Sequence, residues 1–367
     1  MAEILTVQND GQTLRFDFVK LITMNDSVVP PVERVASSAD AFARWLASPA
    51  FRALLALTLV FLVGCIFNAD GAFFKAGTHR DALRQASVFG ILACGMTLVI
   101  ITAGIDLAVG SVLALCSVSL SLMAIHWGWS AWVTIPTVLI IGLGCGAVSG
   151  MLTGRFGIQP FIATLAMMVF ARGLAKTASG GMKVSTAVKT ADGGYEFVGV
   201  PALFRWVDSR VLGGNVAMVS VIFLGCAVVA WLLLSRHVWG RYLYAIGANE
   251  EAARLSGLPV AWAKVMAYAA CGLFAGVAGI CQAAQELQGD PEAGSGYELT
   301  AIAMVVIGGT TLSGGRGGIG LTLLGTLIIG YLDKILSINA VPEASRLMLT
   351  GAIIIAAVFA QRRGGSR

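Results

Sequence analysis

Long apolar stretches run through most of this chain and limit its fold more than any other feature of the sequence. A helix that crosses a bilayer core of about 30 Å needs roughly 20 apolar residues. The predicted spans are 52–68, 86–104, 108–126, 131–153, 158–175, 214–235, 264–284, a weaker 298–313, 317–333 and 345–361. The sequence therefore predicts an all-α polytopic membrane protein with about ten transmembrane helices.

Composition supports lipid as the solvent of this fold. Only 12% of the 367 residues are charged, whereas soluble domains carry about 25%. The net charge of +5 is typical of basic loops beside anionic headgroups. We therefore expect the lipid bilayer, and no nucleic acid, as a partner.

Catalytic and metal-binding patterns are absent from the sequence. It has no Ser/His/Asp set, no HExxH and no nucleophile elbow, so we predict that the protein is not an enzyme. The three histidines are scattered, and we predict no metal or other cofactor. The seven cysteines lie in apolar stretches without a Cys-x-x-Cys pair, which predicts small buried hydrophobic residues and no disulfides. They are Cys65, Cys94, Cys116, Cys145, Cys226, Cys271 and Cys281.

The chain divides into a polar start, a membrane domain and a short tail. Residues 1–50 are polar and carry no signal peptide, so they predict a largely disordered cytoplasmic tail. Within it, the Pro30-Pro31 pair after Met24 raises the expectation that residues 1–23 are an upstream extension of the reading frame. The membrane domain covers 51–361 and includes a cytoplasmic loop at about 236–263. Residues 362–367 form a second cytoplasmic tail.

Basic residues set the expected orientation. The C-terminal GlnArgArgGlyGlySerArg (361–367) and the Arg-rich 236–264 loop carry the positive charge that is typical of the cytoplasmic side. An even number of spans then puts the N-terminus on the same side. We expect both termini in the cytoplasm and the protein in a bacterial inner membrane.

Glycine spacing predicts close helix packing. Gly142, Gly146, Gly150 and Gly154 recur every four residues, and a shorter repeat occurs over 272–276. Lipid supplies no hydrophobic drive between helices, so small residues on one face allow the backbone contact that holds a bundle together.

Two Gly-rich connections predict interruptions of the helices. They are ThrAlaGlyIleAspLeuAlaValGlySer (102–111) and the 307–320 segment, which are loosely alike and weakly hint at a duplication. Irregular backbone at membrane depth is tolerated only where protein or a water-filled cavity satisfies it, so we expect both to line a pathway. GlyArgGlyGlyIleGly (315–320) formally matches a dinucleotide signature, but it joins two spans rather than a strand and a helix. No phosphate-binding GxxxxGK[ST] loop occurs, so the chain itself is not expected to bind ATP.

Asp106 interrupts an apolar run and admits two interpretations. A carboxylate at membrane depth is a functional hypothesis. Alternatively, Asp106 caps the following helix at the interface through the amides of residues 107–110, which is the interpretation that we favour. Glu298 lies where a first helical turn is predicted, and Gln159-Pro160 has the order of a helix start. The candidate pathway or gate residues are Asp106, Ser111, Gln159, Glu298, Thr300 and Thr310.

A polar connection at 239–259 predicts a short amphipathic helix at the membrane surface between long apolar stretches. It contains Glu-Ala-Ala, three residues, then Gly-Leu-Pro, and such a helix has the form of a docking element. We expect Gly257 to let a partner surface approach closely. The docking residues are predicted to be Asn249, Glu250, Glu251, Ala252, Ala253, Arg254 and Gly257.

The sequence resembles the permeases of ribose-type carbohydrate ABC importers between about residues 85 and 330. The matching stretches are GlyMetThrLeuValIleIleThrAlaGlyIleAspLeuAlaValGlySer (95–111), GlnProPheIleAlaThrLeuAlaMet (159–167), AlaIleGlyAlaAsnGluGluAlaAlaArgLeuSerGly (245–257) and GlyTyrGluLeuThrAlaIleAlaMetValValIleGlyGlyThrThrLeuSerGlyGlyArgGly (296–317). In that family the residue after Glu298-Leu299 is usually Asp, whereas this chain has Thr300. A charge in that position is therefore missing here.

The resemblance implies a bundle with broken or re-entrant helices and a pathway formed by two permeases, either two copies of this chain or a pair with a paralogue. It also implies a coupling loop that engages separate cytoplasmic ATPase subunits, which use the ATP, and a periplasmic or extracellular sugar-binding protein. The function implied is uptake of a monosaccharide, whose identity stays open. The alternative is an ion-coupled secondary transporter of a small polar solute, in which Asp106 would be the one good buried ionisable candidate.

Overall fold

The computed structural model describes residues 4–9, 12–17, 46, 48–189, 192 and 194–364, which fall into two compact units, Met1–Ser48 and Pro49–Arg367. In the first unit, β1 (Ile4–Asn9) and β2 (Gln12–Asp17) form an antiparallel pair. The predicted disordered tail over 1–50 lies largely outside the described residues, and the predicted upstream extension over 1–23 and the tail over 362–367 lie partly outside them.

Helices make up most of the second unit. In chain order they are α1 (Pro49–Ile66), α2 (Ala76–Ile101), α3 (Val109–Ser121), α4 (Ala131–Gly154), α5 (Pro160–Ser179), α6 (Ala202–Val207), α7 (Met218–Ser235), α8 (Val238–Ala248), α9 (Glu250–Leu255), α10 (Val260–Glu286), α11 (Tyr297–Gly308), α12 (Ile319–Ile338) and α13 (Glu343–Gly364). A 3-10 turn (Ala72–Phe74) precedes α2, and a π turn (Leu122–His126) continues α3. Two small antiparallel pairs lie between α5 and α7: β3 (Ala187–Lys189) with β4 (Tyr195–Phe197), and β5 (Arg210–Val211) with β6 (Val216–Ala217).

Helix length and apolarity confirm the polytopic all-α prediction. Within the described part of the chain, eight helices are long and apolar enough to cross a membrane. They are α1, α2, α3 with its π turn, α4, α5, α7, α10 and α12. The C-terminal α13 covers the predicted span 345–361.

Two predicted spans need correction. The weak span 298–313 is a half-helix, because α11 has 12 residues and therefore reaches only about 18 Å at 1.5 Å per residue. The span predicted to start at 86 begins at Ala76. Hydropathy missed these first turns because they are polar, and their charges are paired: Arg84 with Asp208, and Asp81 with Arg210 at 3.0 Å.

The core is built around α10. The apolar windows of α2, α3 and α10 are 83%, 83% and 78% buried, whereas that of α1 is 11% buried, so α1 is peripheral. Cys94, Cys116, Cys271 and Cys281 are buried as predicted, but Cys65 on α1 is exposed because α1 turns most of its surface away from the bundle.

The glycine repeat packs α4 directly against α10, as predicted. A Cβ at Gly142 or Gly146 would overlap a backbone carbonyl oxygen of α10, and one at Gly150 would lie 2.7 Å from the Cα of Val265. The shorter repeat, Gly272 and Gly276, faces Gly142 from α10. Backbone-to-backbone contact of this kind requires the absence of side chains on both helices.

Candidate functional site

The polar connection, where the sequence predicts one short helix, folds into two, α8 and α9, and the short α9 (Glu250–Leu255) holds most of the predicted docking residues. Asn249 caps α9, because its Oδ1 accepts a hydrogen bond from the Ala252 amide at 2.9 Å. Glu250 in the first turn pairs with Lys264 on α10 at 2.6 Å and with Arg254 at 3.3 Å. The cap and these ion pairs hold α9 against the start of α10, while Leu255 stays 81% exposed. Such an exposed side chain on a fixed helix suits a docking surface.

Gly257 ends this helix with φ +78°, the left-handed conformation that favours glycine after a helix. A Cβ there would meet no atom within 4 Å. Gly257 therefore has a local role: it allows the left-handed backbone conformation that ends α9. This role is in addition to the close approach of a partner that the sequence predicts.

The first Gly-rich connection is a break between α2 and α3. Asp106 lies in it and is 2% exposed. Its Oδ1 accepts a hydrogen bond from the Ala108 amide at 2.9 Å, and the buried Cys271 of α10 lies beside its carboxylate. Cys271 lies about 16 Å along α10 from Val260. Asp106 thus accepts from the amide two residues on, in the interior of the bundle, whereas α3 begins after Ala108 without a side-chain cap.

The second Gly-rich connection is a break between α11 and α12. It turns at Gly309 with φ +115° and at Gly317 with φ +139°. Thr310 is fully buried. The amide of Thr311 donates to the Arg316 carbonyl at 3.1 Å. The dinucleotide-like GlyArgGlyGlyIleGly is therefore part of an interhelical turn.

The polar connection contacts both breaks through α8 at one place, which we call the junction and define by Ile101, Tyr244, Gly247, Gly315 and Gly317. The Gly315 amide donates to the Ile101 carbonyl at 2.9 Å, and the Tyr244 hydroxyl donates to the Gly317 carbonyl at 3.0 Å. A Cβ at Gly247 would overlap the Ile101 carbonyl oxygen. The sequence analysis did not single out Tyr244 or Gly247. The signal for Gly247 is its place in AlaIleGlyAla (245–248), directly before Asn249.

The segment between α10 and α11 is re-entrant, as the resemblance implies for part of the bundle. It runs back along α3, since a Cβ at Gly289 would lie 2.8 Å from the Cα of Val118 and one at Gly294 would overlap the carbonyl of Gly110. Glu298, in the first turn of α11, is 2.7 Å from the Cβ position of Gly110. This places the starts of α3 and α11 side by side.

Basic side chains of α5 and the chain after it hold the re-entrant segment, and the sequence analysis did not single them out. Arg172 donates through Nη1 to the carbonyls of Pro291 at 2.5 Å and Ala293 at 2.7 Å. Two ion pairs follow: Lys176 with Glu292 at 2.6 Å, and Lys183 with Asp290 at 3.0 Å. The hydrogen bond to Asp290 raises the pKa of Lys183.

The predicted pathway residues separate into four places. Asp106, Ser111 and Glu298 lie around the start of α3, where Ser111 is 3% exposed. Thr310 belongs to the second break. Gln159 is exposed at the N-cap of α5, and Thr164, one turn later, places its hydroxyl 3.4 Å from the Ile105 carbonyl. Thr300 faces a cavity in another part of the bundle.

The fold defines a multi-pass membrane protein, and comparison with known proteins identifies it as a transport permease. Residues 80–358 match the family described as branched-chain amino acid transport system / permease component, and the chain belongs to that family. No solved structure shows a significant match to it.

Known relatives confirm the resemblance to ribose-type permeases. The chain is 39% identical over 312 residues to the Ribose import permease protein RbsC of Escherichia coli (strain K12), covering 84% of this chain and 92% of the relative. It is 38% identical over 313 residues to RbsC of Bacillus subtilis (strain 168), covering 84% and 91%. It is also 33% identical over 354 residues to the Xylose transport system permease protein XylH of Escherichia coli (strain K12), covering 84% and 89%.

Proposed function

We propose that this chain is the membrane subunit of an ATP-driven monosaccharide importer. The observation that carries the proposal is the junction, where the exposed coupling loop contacts the ends of both helix breaks through Tyr244 and Gly247. A force applied to α9 acts through this contact on the irregular backbone inside the bundle. The relatives named for ribose and xylose transport support the cargo class.

The proposed assembly has two permeases, cytoplasmic ATPase subunits docked on the coupling loop, and a sugar-binding protein on the opposite face. ATP is used by the ATPase subunits, and the permease has neither an ATPase site nor a cofactor of its own. The coupling loop faces the cytoplasm of a bacterial cell, and both termini lie on the same side.

Reconstituted vesicles test this function against ion-coupled transport. The permease, its ATPase and its binding protein are expected to accumulate D-ribose or D-xylose only when ATP is inside the compartment that holds the ATPase. Uptake is expected to persist when proton and sodium gradients are collapsed with ionophores. Gradient-driven uptake without ATP would contradict the proposal and favour the secondary transporter.

Asp106→Asn is expected to leave transport close to normal. Asparagine keeps an oxygen that accepts from the Ala108 amide, so the free energy of unfolding changes by well under about 1 kcal/mol. Asp106→Leu removes the acceptor and is expected to cost about 1–3 kcal/mol, because the buried amide loses its partner. Uptake normalised to membrane expression, with thermal unfolding of the purified variants, measures both effects. Poor uptake by a well-expressed Asn variant would show that the charge itself is needed.

Cysteines at Ser111 and Thr310 test whether the breaks open during transport. Both positions are buried in this conformation, so in a background without the seven native cysteines we expect slow labelling by an aqueous thiol reagent. Labelling is expected to accelerate in one nucleotide state of the ATPase if the breaks line the pathway. Ser337→Cys, exposed on α12 and away from α9, is the control that labels in every state. Protection of both positions throughout the cycle would identify the breaks as packed turns.

A further inference from the structure

A cavity of about 310 Å³ lies between α2, α11, α12 and α13. Gln85 on its wall is separated from Ile101 at the junction by about 24 Å of α2. Its volume is at the lower end of the range for small-molecule sites, roughly 300–1,000 Å³. The cavity is therefore large enough for one small solute.

The walls of the cavity combine hydrogen-bonding groups with an aromatic surface. Gln85, Thr300 and Asp333 contribute an amide, a hydroxyl and a carboxylate. Phe89 and Tyr297 form an aromatic pair with ring centroids 4.3 Å apart. Mixed donors and acceptors beside an aromatic face suit a solute that has hydroxyl groups and an apolar side.

Two of the polar groups keep hydrogen-bonding capacity for a solute. Arg346 pairs with Asp333 through Nη1 at 3.1 Å, while its buried Nε has no hydrogen-bond partner among the described residues. The Thr300 hydroxyl is held only by a 3.5 Å contact to the Gly296 carbonyl. An unsatisfied buried donor such as the Arg346 Nε is uncommon inside proteins and calls for an explanation.

The charge of the cavity disfavours an anion. Among the described residues on its walls, Asp333 and Glu343 oppose a single cation, Arg346. Because Asp333 and Arg346 already neutralise each other, the remaining wall charge is that of Glu343. Thr300, in the position where the resembled family usually has Asp, adds a neutral hydroxyl.

The cavity is also connected to both helix breaks by rigid elements. The helix α2 runs from Gln85 to Ile101 at the first break, and α11 runs from Tyr297 and Thr300 to Gly308 at the second. A solute that changes the spacing of these two helices at the cavity therefore acts on the same backbone that the coupling loop contacts.

We infer that this cavity is a binding site for an uncharged polyhydroxylated solute of monosaccharide size, with Thr300 and Arg346 as hydrogen-bonding residues. The inference rests on the proposed importer function and adds the place where the permease itself contacts its cargo.

Protection of a cysteine at Thr300 tests the site in the complete transporter, in the background without native cysteines. D-ribose or D-xylose at high millimolar concentration is expected to slow labelling of Thr300→Cys by an impermeant thiol reagent about three-fold or more, as for a site with millimolar affinity. D-ribose 5-phosphate, the charged comparison, is expected to have no effect. Ser337→Cys, exposed on α12 outside the cavity, should label at one rate under all conditions.

A matched pair of variants in the natural background completes the test. Thr300→Val keeps the shape of threonine without its hydroxyl and is expected to raise the KM for uptake about five- to ten-fold, the effect of one lost hydrogen bond. Thr300→Ser keeps the hydroxyl and should stay within about two-fold of the natural protein.

The outcomes separate this inference from the proposed function. The natural complex could import a sugar that does not protect Thr300→Cys and whose KM is unchanged by Thr300→Val. In that case the cavity is not the binding site, and the importer function stands. If the natural complex imports neither sugar under ATP, the proposed function fails, and the inference fails with it.

Discussion

Valine in place of Gly247 is expected to lower solute uptake about ten-fold or more while the partner ATPase continues to hydrolyse ATP. A Cβ at Gly247 would overlap the Ile101 carbonyl oxygen and lie 2.5 Å from the Gly315 amide nitrogen. Both neighbours are backbone atoms, so the coupling loop must move away from the breaks to make room. Overpacking of this kind costs about 1–3 kcal/mol, which the exposed loop can avoid by separating from the bundle.

Gly320→Val is the matched control for that experiment. Gly320 lies in the first turn of α12, close to the second break, and a Cβ there meets no atom within 4 Å. Uptake and ATPase activity of both variants, measured in the same reconstituted vesicles, give the coupling ratio. Equal ratios for Gly247→Val and the natural protein would show that the junction does not transmit the motion.

The second large effect is expected at Gly146, on the face of α4 that touches α10. A Cβ there would overlap the Tyr268 carbonyl oxygen and lie 3.0 Å from the Gly272 amide nitrogen. The atoms that a Gly146→Val side chain would meet belong to the backbone of α10, so no side chain can rotate away to make room. The variant must therefore separate α4 from α10, the helix at the centre of the core. We expect a loss of about 3 kcal/mol or more, at the upper end of the overpacking range, and little correctly folded protein in the membrane.

Gly144→Val separates packing from helix propensity. Gly144 lies two residues earlier on the same helix, and a Cβ there meets nothing within 4 Å, so this variant should fold normally. Thermal unfolding in detergent and the yield of monodisperse protein measure the difference. A Gly146→Val variant as stable as Gly144→Val would contradict the packing argument.

Local features of the fold were predictable because their causes are local. Pro160 begins α5 as its fixed φ favours, and Glu298 occupies the first turn of α11. Asn249 caps α9 through an amide three residues away. The prediction was wrong for the start of α2, because the partners of its polar first turns, Asp208 and Arg210, are more than a hundred residues away.

The candidate site was predictable only in its parts. Glycine content indicated both breaks, and the Glu-Ala-Ala motif indicated the coupling loop. Neither feature indicated that Tyr244 and Gly247 lie between the two breaks, or that Arg172 holds the re-entrant segment through carbonyl groups of Pro291 and Ala293. Carbonyl partners carry no side-chain signature, so residue types cannot identify them.

The sequence alone determined that this chain spans a membrane as helices and where glycine allows two helices to touch. These properties follow from the length of apolar runs and the four-residue glycine spacing, which act within one helix. Only the tertiary structure decided that Asp106 lies in the interior, that both breaks meet the coupling loop, and that Thr300 faces a cavity. Each depends on contacts between distant segments, such as the hydrogen bond from the Gly315 amide to the Ile101 carbonyl. Because every residue has a backbone carbonyl, the residue types in the sequence do not identify such contacts.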